Sequence, residues 1–230
     1  MLLGAAMLLA LAVGASPAMA QVGSGVYLRI DAGGAFAPDV TFPNTPVGLS
    51  YHDDAGKSYL GSAGIGVRLS PVFRIDLTAS YMPQFRFSGQ DNLGAGTTAS
   101  AKIKPLVGLL NGYVDFGGLA GFPASSPQPY VVASLGAARN QLDNFTITSS
   151  SATLATISGK TTTHVAWGIG AGIGFPLGRF VTFDLMYKYL NLGHVQSSNI
   201  VDFGAGAVQA TAITEQLQVH TVTAGFRFGF

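Results

Sequence analysis

The 230-residue chain contains no cysteine and few charged residues. Without cysteine, disulfide frameworks, thiol catalysis and cysteine-based metal sites are excluded. Aspartate, glutamate, lysine and arginine together make up 10% of the chain, whereas soluble domains carry roughly 25%. The formal net charge is +1, which predicts no strong overall attraction to nucleic acid or to anionic lipid. A protein with so few charges would have difficulty covering a water-exposed surface.

Long apolar runs are missing from most of the chain as well. The run that comes nearest to the length of a membrane-spanning helix, residues 103–116, is interrupted by Pro105, Asn111 and Asp115. A spanning helix needs about 20 predominantly apolar residues. If the chain crosses a membrane, it has to do so with β-strands, because only helices and closed barrels satisfy every backbone group inside lipid.

The N-terminus has the features of an export signal, although no lysine or arginine precedes its apolar segment. The run "MLLGAAMLLALAV" is followed by "ASPAMA", in which Ala18 and Ala20 form a small-x-small cleavage pattern. We predict a signal peptide at residues 1–20, cleaved after Ala20 to leave Gln21 first. A short membrane anchor is the alternative, but the run is shorter than a spanning helix requires.

Glycine, with 31 residues, is abundant where charge is scarce. In "WGIGAGIGF", residues 167–175, glycine occupies every second position between apolar side chains. A phosphate-binding loop, a membrane helix with small-residue contacts and a two-faced β-strand are the competing interpretations. The segment is too short to span a membrane as a helix, and Gly-x-Gly-x-x-Gly would need glycine in place of Ile173. Period-two alternation is typical of a strand.

The same alternation recurs in eight segments, most of which have an apolar, partly aromatic face and a face of glycine and small polar residues. The fifth segment is apolar on both faces and gives little information about which face is inside. The fourth segment is less regular and places Val107 and Leu109 on its inner face. Aromatic residues near the strand ends, such as Trp167 and Tyr189, are typical of the girdles of lipid-facing barrels. The segments span about 25–36, 58–70, 72–86, 101–116, 129–141, 162–175, 179–191 and 215–230.

Most charged residues of these segments lie on the face opposite the large apolar side chains. Inside a narrow barrel, a charge is costly unless it is paired and hydrogen-bonded. The near balance of five cations and four aspartates predicts an ion-paired network in the lumen, whose pairing depends on the shear of the barrel. Its members are Arg29, Asp31, Arg68, Arg74, Asp76, Asp115, Asp184, Lys188 and Arg227.

The connections alternate between long and short, which is the asymmetry of an outer-membrane barrel. Short links lie near 70–72 and 176–178, with a moderate one near 117–128. The sequence therefore predicts an all-β fold for residues 21–230: an eight-stranded antiparallel transmembrane β-barrel, built as an up-and-down meander. Its four long external loops are predicted at about 37–57, 87–100, 142–161 and 193–214.

Six short stretches carry a family resemblance: "YLRIDAGGAF", "LVGLLNGYVDFG", "PYVVASLGAARN", "WGIGAGIGF", "FDLMYKYLNLG" and the terminal "TAGFRFGF". In this order they resemble the small outer-membrane β-barrels of the opacity-porin, OmpA-like and Omp25-like group of Gram-negative bacteria. The resemblance implies a surface barrel embedded in outer-membrane lipid. It also implies insertion by the barrel assembly machinery, which recognises a last strand ending in phenylalanine, and Phe226, Phe228 and Phe230 match that signal.

Catalytic and metal-binding patterns are weak. The four histidines lie on predicted loops and strand ends, without the nucleophile–base arrangement that catalysis needs. No histidine pair has helical ligand spacing. Asp53 and Asp54 could bind a divalent cation in the first loop, although a solvated loop charge is favoured. We therefore predict no enzyme activity, no cofactor and no metal site for a chain whose histidines are His52, His164, His194 and His220.

Three functions are compatible with such a barrel. The favoured hypothesis is a non-enzymatic structural or surface-exposed protein that maintains the envelope and contacts its surroundings through loops. A narrow channel for small solutes or ions is the first alternative, although eight strands enclose an interior just wide enough for side chains. The second is an adhesin whose loops bind a host or environmental ligand.

Overall fold

The computed structural model describes residues 25–38, 56–83, 85–90, 98–149, 152–202, 206–209 and 214–230. The predicted signal peptide, with Ala18 and Ala20, lies outside these residues. The one helix among them, α1, is a single turn at Phe116–Leu119, and no helix in the described part of the chain is long and apolar enough to cross a bilayer. The strands are β1 (Val26–Phe36), β2 (Lys57–Arg68), β3 (Phe73–Tyr81), β4 (Phe85–Gln90), β5 (Thr98–Asp115), β6 (Gln128–Leu142), β7 (Phe145–Ser149), β8 (Ala152–Gly159), β9 (Thr161–Pro176), β10 (Val181–Asp202), β11 (Ala207–Gln209) and β12 (Thr214–Gly229).

Eight of these strands form a closed antiparallel barrel, which confirms the predicted fold. The ring runs β1-β2-β3-β5-β6-β9-β10-β12, and β12 closes it by pairing with both β10 and β1. Each barrel strand is bonded to the barrel strands that precede and follow it along the chain, as in an up-and-down meander. Because the sheet closes on itself, it leaves no barrel edge with unpaired backbone groups.

The two faces of the strands separate as their alternation predicts. On β3, Phe73, Ile75 and Leu77 are exposed on the outer wall, whereas Arg74 and Asp76 are buried inside. The less regular β5 also follows the predicted assignment, with Val107 and Leu109 buried in the lumen. The outer wall is therefore apolar, whereas the lumen contains the charged side chains together with apolar ones such as Leu109.

The two ends of the barrel differ, and we name them after their connections. At the turn end lie residues 69–72, 177–180 and the segment from α1 to β6, together with both ends of the described chain. At the hairpin end, β4 pairs with the start of β5, β7 pairs with β8, and β11 pairs with the end of β10.

The predicted long loops differ from the structure because several continue the sheet. Most of 142–161 is the hairpin β7–β8, and much of 193–214 belongs to β10, β11 and β12. In 87–100 the sheet includes the end of β4 and the beginning of β5, and most of 37–57 lies outside the described residues. Threonine and isoleucine favour strands, and a hairpin beyond the barrel proper forms without a purely apolar face, so the alternation that marks the barrel strands does not reveal it.

The lumen is layered along the barrel axis. The half nearest the turn end contains charged and polar side chains, and the half nearest the hairpin end contains a packed cluster that we call the apolar plug. Its members are Ala35, Ala37, Leu60, Met82, Phe85, Ile103, Val107, Leu109, Ala138, Ala166, Leu190, Leu192, Val195, Leu217 and Val219.

Candidate functional site

The polar half of the lumen is centred on Arg29, which is 2% exposed. Arg29 and Asp31 lie on the same face of β1 because side chains alternate along a strand, and Arg29 Nη2 donates to Asp31 Oδ1 over 2.7 Å. Its Nη1 reaches Asp76 Oδ2 on β3 at 3.3 Å and donates to the Tyr113 hydroxyl at 2.5 Å. One guanidinium thus joins side chains from three strands by charge-assisted hydrogen bonds.

Asn111 extends this network across the lumen. Its Nδ2 donates to Asp76 Oδ1 over 2.7 Å, and its Oδ1 accepts from Lys188 Nζ at 2.9 Å and from Ser134 Oγ at 2.6 Å. The ammonium of Lys188 therefore contacts an amide that is itself bonded to a carboxylate. Asn111 is not among the network members predicted from the sequence, although an amide on the inward face of an otherwise apolar strand could have indicated it.

Arg74 is held by both charge and aromatic contact. Its Nε donates to Asp115 Oδ1 at 3.1 Å, and its guanidinium carbon lies 3.9 Å from the ring centroid of Tyr113 and 4.4 Å from that of Tyr130. Cations over aromatic faces are attracted by the ring quadrupole, most strongly where water is excluded. Among the described residues, Nη1 and Nη2 of Arg74 have no hydrogen-bond partner, so the two rings supply the remaining stabilisation.

The remaining predicted members of the network lie nearer the turn end. Arg227 Nε on β12 donates to Asp184 Oδ2 on β10 at 2.8 Å, and both side chains are buried. Arg68 is different: its side chain is 47% exposed, and its Nη1 lies 3.8 Å from Asp115 Oδ2. Arg68 is the last residue of β2, so its side chain projects into the mouth of the barrel instead of being enclosed in the lumen.

The glycine comb of β9 makes room for these side chains. Gly172 faces the Tyr130 hydroxyl, and a Cβ at this glycine would lie 2.6 Å from that oxygen. At Gly174, a Cβ would lie 2.9 Å from Nη2 of Arg227 and 3.1 Å from Oδ1 of Asp184. The glycines of this strand therefore leave space for side chains inside the lumen, and the apolar residues between them cover the outer wall.

Between the charged network and the apolar plug lies a cavity of about 20 Å³, lined in part by Lys188, Leu190 and Thr223. A cavity of this size holds about one water molecule. The Thr223 hydroxyl is buried without a hydrogen-bond partner in the described structure, so a water here would have a polar neighbour. The cavity is far too small for a solute.

Two histidine contacts were missed by the sequence analysis. His164 and His194 lie with ring centroids 5.8 Å apart at the hairpin end, where Gly193 adopts a φ of 76° within a bulge of β10. His220 Nδ1 and the Tyr187 hydroxyl share a hydrogen bond of 2.7 Å on the outer wall. Histidine, aspartate and glutamate side chains of the described residues form no group of three that could hold a metal ion.

A closed barrel whose outer wall is apolar and whose charged side chains are paired inside the lumen is a protein that spans a lipid bilayer with β-strands. The sequence profile of the outer membrane protein β-barrel domain family matches residues 5–230. The chain belongs to this family, and it is a barrel of the Gram-negative outer membrane. Barrels of this family have short periplasmic turns and longer external connections, and the turn end and hairpin end of this barrel have the same asymmetry.

Two curated relatives each match more than half of the chain. A putative adhesin of Rickettsia felis is 28% identical over 217 residues, which is 90% of this chain and 89% of that protein. The outer membrane protein PagN of Salmonella typhimurium is 29% identical over 147 residues, 60% of this chain and 59% of PagN. The crystal structure of the outer membrane protein OprG from Pseudomonas aeruginosa superposes with a TM-score of 0.56 at 15% identity, over 90% of this chain and 98% of that one. This last similarity shows the fold.

Proposed function

We propose that the protein is a non-enzymatic surface protein, that its lumen does not conduct, and that it contacts other surfaces through its external hairpins and loops. The observation that carries the proposal is the closure of the lumen by two layers in series. A hydrated path would have to pass the network around Arg29 and Asp76 and then the apolar plug, where Val107 and Val219 are fully buried.

Both layers are costly to open. Separating a buried ion pair leaves uncompensated charge, which destabilises a protein by about 3–5 kcal/mol. Water in the plug would give up hydrogen bonds to other water molecules and find no side-chain partners among the apolar residues around it. The interior of an eight-stranded barrel has little space beyond its side chains. These three facts favour the surface role over the channel alternative.

The hairpin β7–β8 supports a contact function because it extends the sheet outside the barrel proper. Thr146 and Thr156 are partners across it, and both are half-buried. Paired strands present side chains in a fixed arrangement, so that binding requires less ordering than it would in a flexible loop. The relative from Rickettsia felis is described as a putative adhesin, which agrees with a contact role for this chain.

Catalysis is disfavoured by what surrounds the histidines. A hydrolase of this architecture needs a nucleophile beside a general base. The described contacts of His164 and His220 are instead with another histidine ring and with a tyrosine on the outer wall. Neither arrangement joins a serine or threonine nucleophile to a base that a carboxylate orients.

The contact function is tested by shortening one hairpin. Gln141 and Thr161 are partners at its base, so replacing residues 142–160 with Asn-Gly, a two-residue hairpin turn, keeps the register of β6 and β9. The full chain and this variant are expressed in a non-adherent Gram-negative strain, and attachment to epithelial monolayers and to glass is counted. We expect the full chain to raise attachment to one of these surfaces and the shortened protein to lose most of that gain.

A folding control and an empty-vector control keep this test decisive. Resistance of the folded barrel to unfolding in detergent, read as a gel shift between heated and unheated samples, shows that the variant is assembled. Equal attachment by the strains with the full chain, the variant and an empty vector would overturn the contact function.

We also propose that the barrel assembly machinery inserts the chain by recognising its last strand. Phe226 and Phe228 point outward from β12, and Phe230 directly after it is exposed as well; lipid contact alone would also favour phenylalanine at these positions. Phe230→Ser separates the two roles. Recognition predicts less assembled barrel in cells with unchanged refolding into lipid vesicles in vitro, whereas an equal loss in both would mean lipid contact only.

A further inference from the structure

The outer wall of the barrel carries an uneven distribution of charge. On β1, β2, β3, β5, β6 and β9, the outward-facing positions contain no aspartate or glutamate, and they contain no lysine or arginine until the hairpin end. There the outward-facing charges are all cationic: Lys57, Lys102, Lys104 and Arg139. A cation at this level is tolerated because the energetic cost of charge on a barrel wall becomes small near the interface.

Three of these cations lie together, and we call them the rim patch: Lys102, Lys104 and Arg139. Arg139 on β6 is the partner of Leu106 on β5, so Lys104, two residues before Leu106, is its diagonal neighbour on the same face. Diagonal neighbours in a sheet lie about 7–8 Å apart, within reach of long side chains. Lys102 continues the row on β5.

One carboxylate is built into this patch. Lys104 Nζ lies 2.7 Å from Asp143 Oδ2, and the side chains remain about a third exposed. The three cations exceed this one anion by two charges. Because the pair fixes the Lys104 side chain against the end of β6, the patch keeps a defined position at the level where the strands leave the apolar band.

A polar cleft of about 600 Å³ opens directly beside the patch. Lys102 lines it, and so do the outward-facing Ser100, Gln141 and Thr161 from three different strands. Hydroxyl and amide groups are thus displayed on the same wall as the cations. In a rim that is only solvated, polar side chains need not line one cleft. Here they line one cleft beside three cations.

We infer that the rim patch and the cleft together bind a phosphorylated glycolipid of the outer leaflet, with phosphates on Lys102, Lys104 and Arg139 and sugar hydroxyls in the cleft. Phosphate oxygens accept strong charge-assisted hydrogen bonds from lysine and arginine. The small net charge of the chain is no objection, because the field at a membrane surface is set by charges within about one Debye length, roughly 8–10 Å. The inference rests on the outer-membrane location and is independent of the contact function.

The test uses the full barrel refolded in detergent, with EDTA to remove bridging divalent cations. Its probes are lipid A carrying two phosphates, the same lipid A after enzymatic removal of its phosphates, and inorganic phosphate. We expect the bisphosphorylated lipid to bind, and Lys104→Gln/Arg139→Gln to weaken it about tenfold or more, since hydrogen bonds to charged groups are individually strong. Dephosphorylated lipid A should bind both proteins weakly and equally.

A matched control removes the same charges elsewhere. Lys57→Gln/Arg179→Gln also replaces one lysine and one arginine, on β2 and in a turn-end connection, and should leave lipid A binding unchanged. Equal losses in the two double variants would mean non-specific charge attraction and would overturn the site. So would binding of the lipid regardless of its phosphates, or inorganic phosphate competing as well as lipid A. A gel shift on heating shows that each variant is folded.

Discussion

At the scale of single residues, the lumen charges matter through their pairing. Arg227 and Asp184 form an isolated pair between β12 and β10, with Nε and Oδ2 at 2.8 Å. We expect Asp184→Asn to lower the free energy of unfolding by about 3 kcal/mol, because it leaves a buried guanidinium without a countercharge. Urea unfolding from lipid vesicles measures this change.

Two further variants serve as controls for Asp184→Asn. Asp184→Asn/Arg227→Gln removes both charges and should recover most of the loss, in a double-mutant cycle that isolates the pairwise interaction. Lys104→Gln breaks the partly exposed pair with Asp143 and should cost no more than about 1 kcal/mol. If Asp184→Asn proved as mild as Lys104→Gln, the lumen pairs would not be stabilising the closed state.

The face of a strand on which a residue lies could be predicted from the sequence, whereas the residues that its side chain contacts could not. Alternation placed Asp76 and Lys188 on the inward face, because a strand reverses its side chains at every residue. The contact of Lys188 with Asn111 could not be predicted in this way. Which residues meet across a barrel depends on its shear and on side-chain reach, and neither is encoded in the local pattern of one strand.

At the scale of elements, the glycine comb of β9 is explained by what faces it. A Cβ at Gly170 would lie 3.0 Å from Lys188 Cα, so Gly170→Leu should destabilise the barrel by about 1–3 kcal/mol through overpacking. Gly112 on β5 is the matched control: it faces outward, and a Cβ there has no heavy atom within 4 Å. Gly112→Leu should therefore be neutral within about 0.5 kcal/mol, or stabilising.

Unfolding of both glycine variants from the same vesicles checks this assignment of faces. Equal destabilisation by the two substitutions would mean that replacing glycine in a strand is costly in itself, and that crowding in the lumen is not the cause. A harmless Gly170→Leu would show spare volume in the lumen and would favour the channel alternative.

The extent of the strands was harder to predict than their number. Eight barrel segments follow from period-two alternation, since one face meets lipid and the other the lumen. That contrast is weaker in β7 and β8, which lie beyond the barrel proper, where Ala155 is buried and Thr146 and Thr156 are half-buried. The stretch 145–159 is rich in serine and threonine, as loops are, although residues 145–149 pair with residues 152–157 as a hairpin.

At the scale of the whole molecule, two layers in series close one lumen, and conductance tests them together. In a planar bilayer, the refolded wild-type barrel should show no single-channel steps, because ions would have to pass both the network around Arg29 and the apolar plug. Leu109→Ser/Leu190→Ser/Leu217→Ser makes the plug polar while leaving the charged layer intact, and this variant should stay closed as well. Steps in the wild type would restore the channel hypothesis. Steps in the variant alone would show that the plug is the sole barrier and that the ion-paired layer admits ions, since a series of two barriers opens only when both are open.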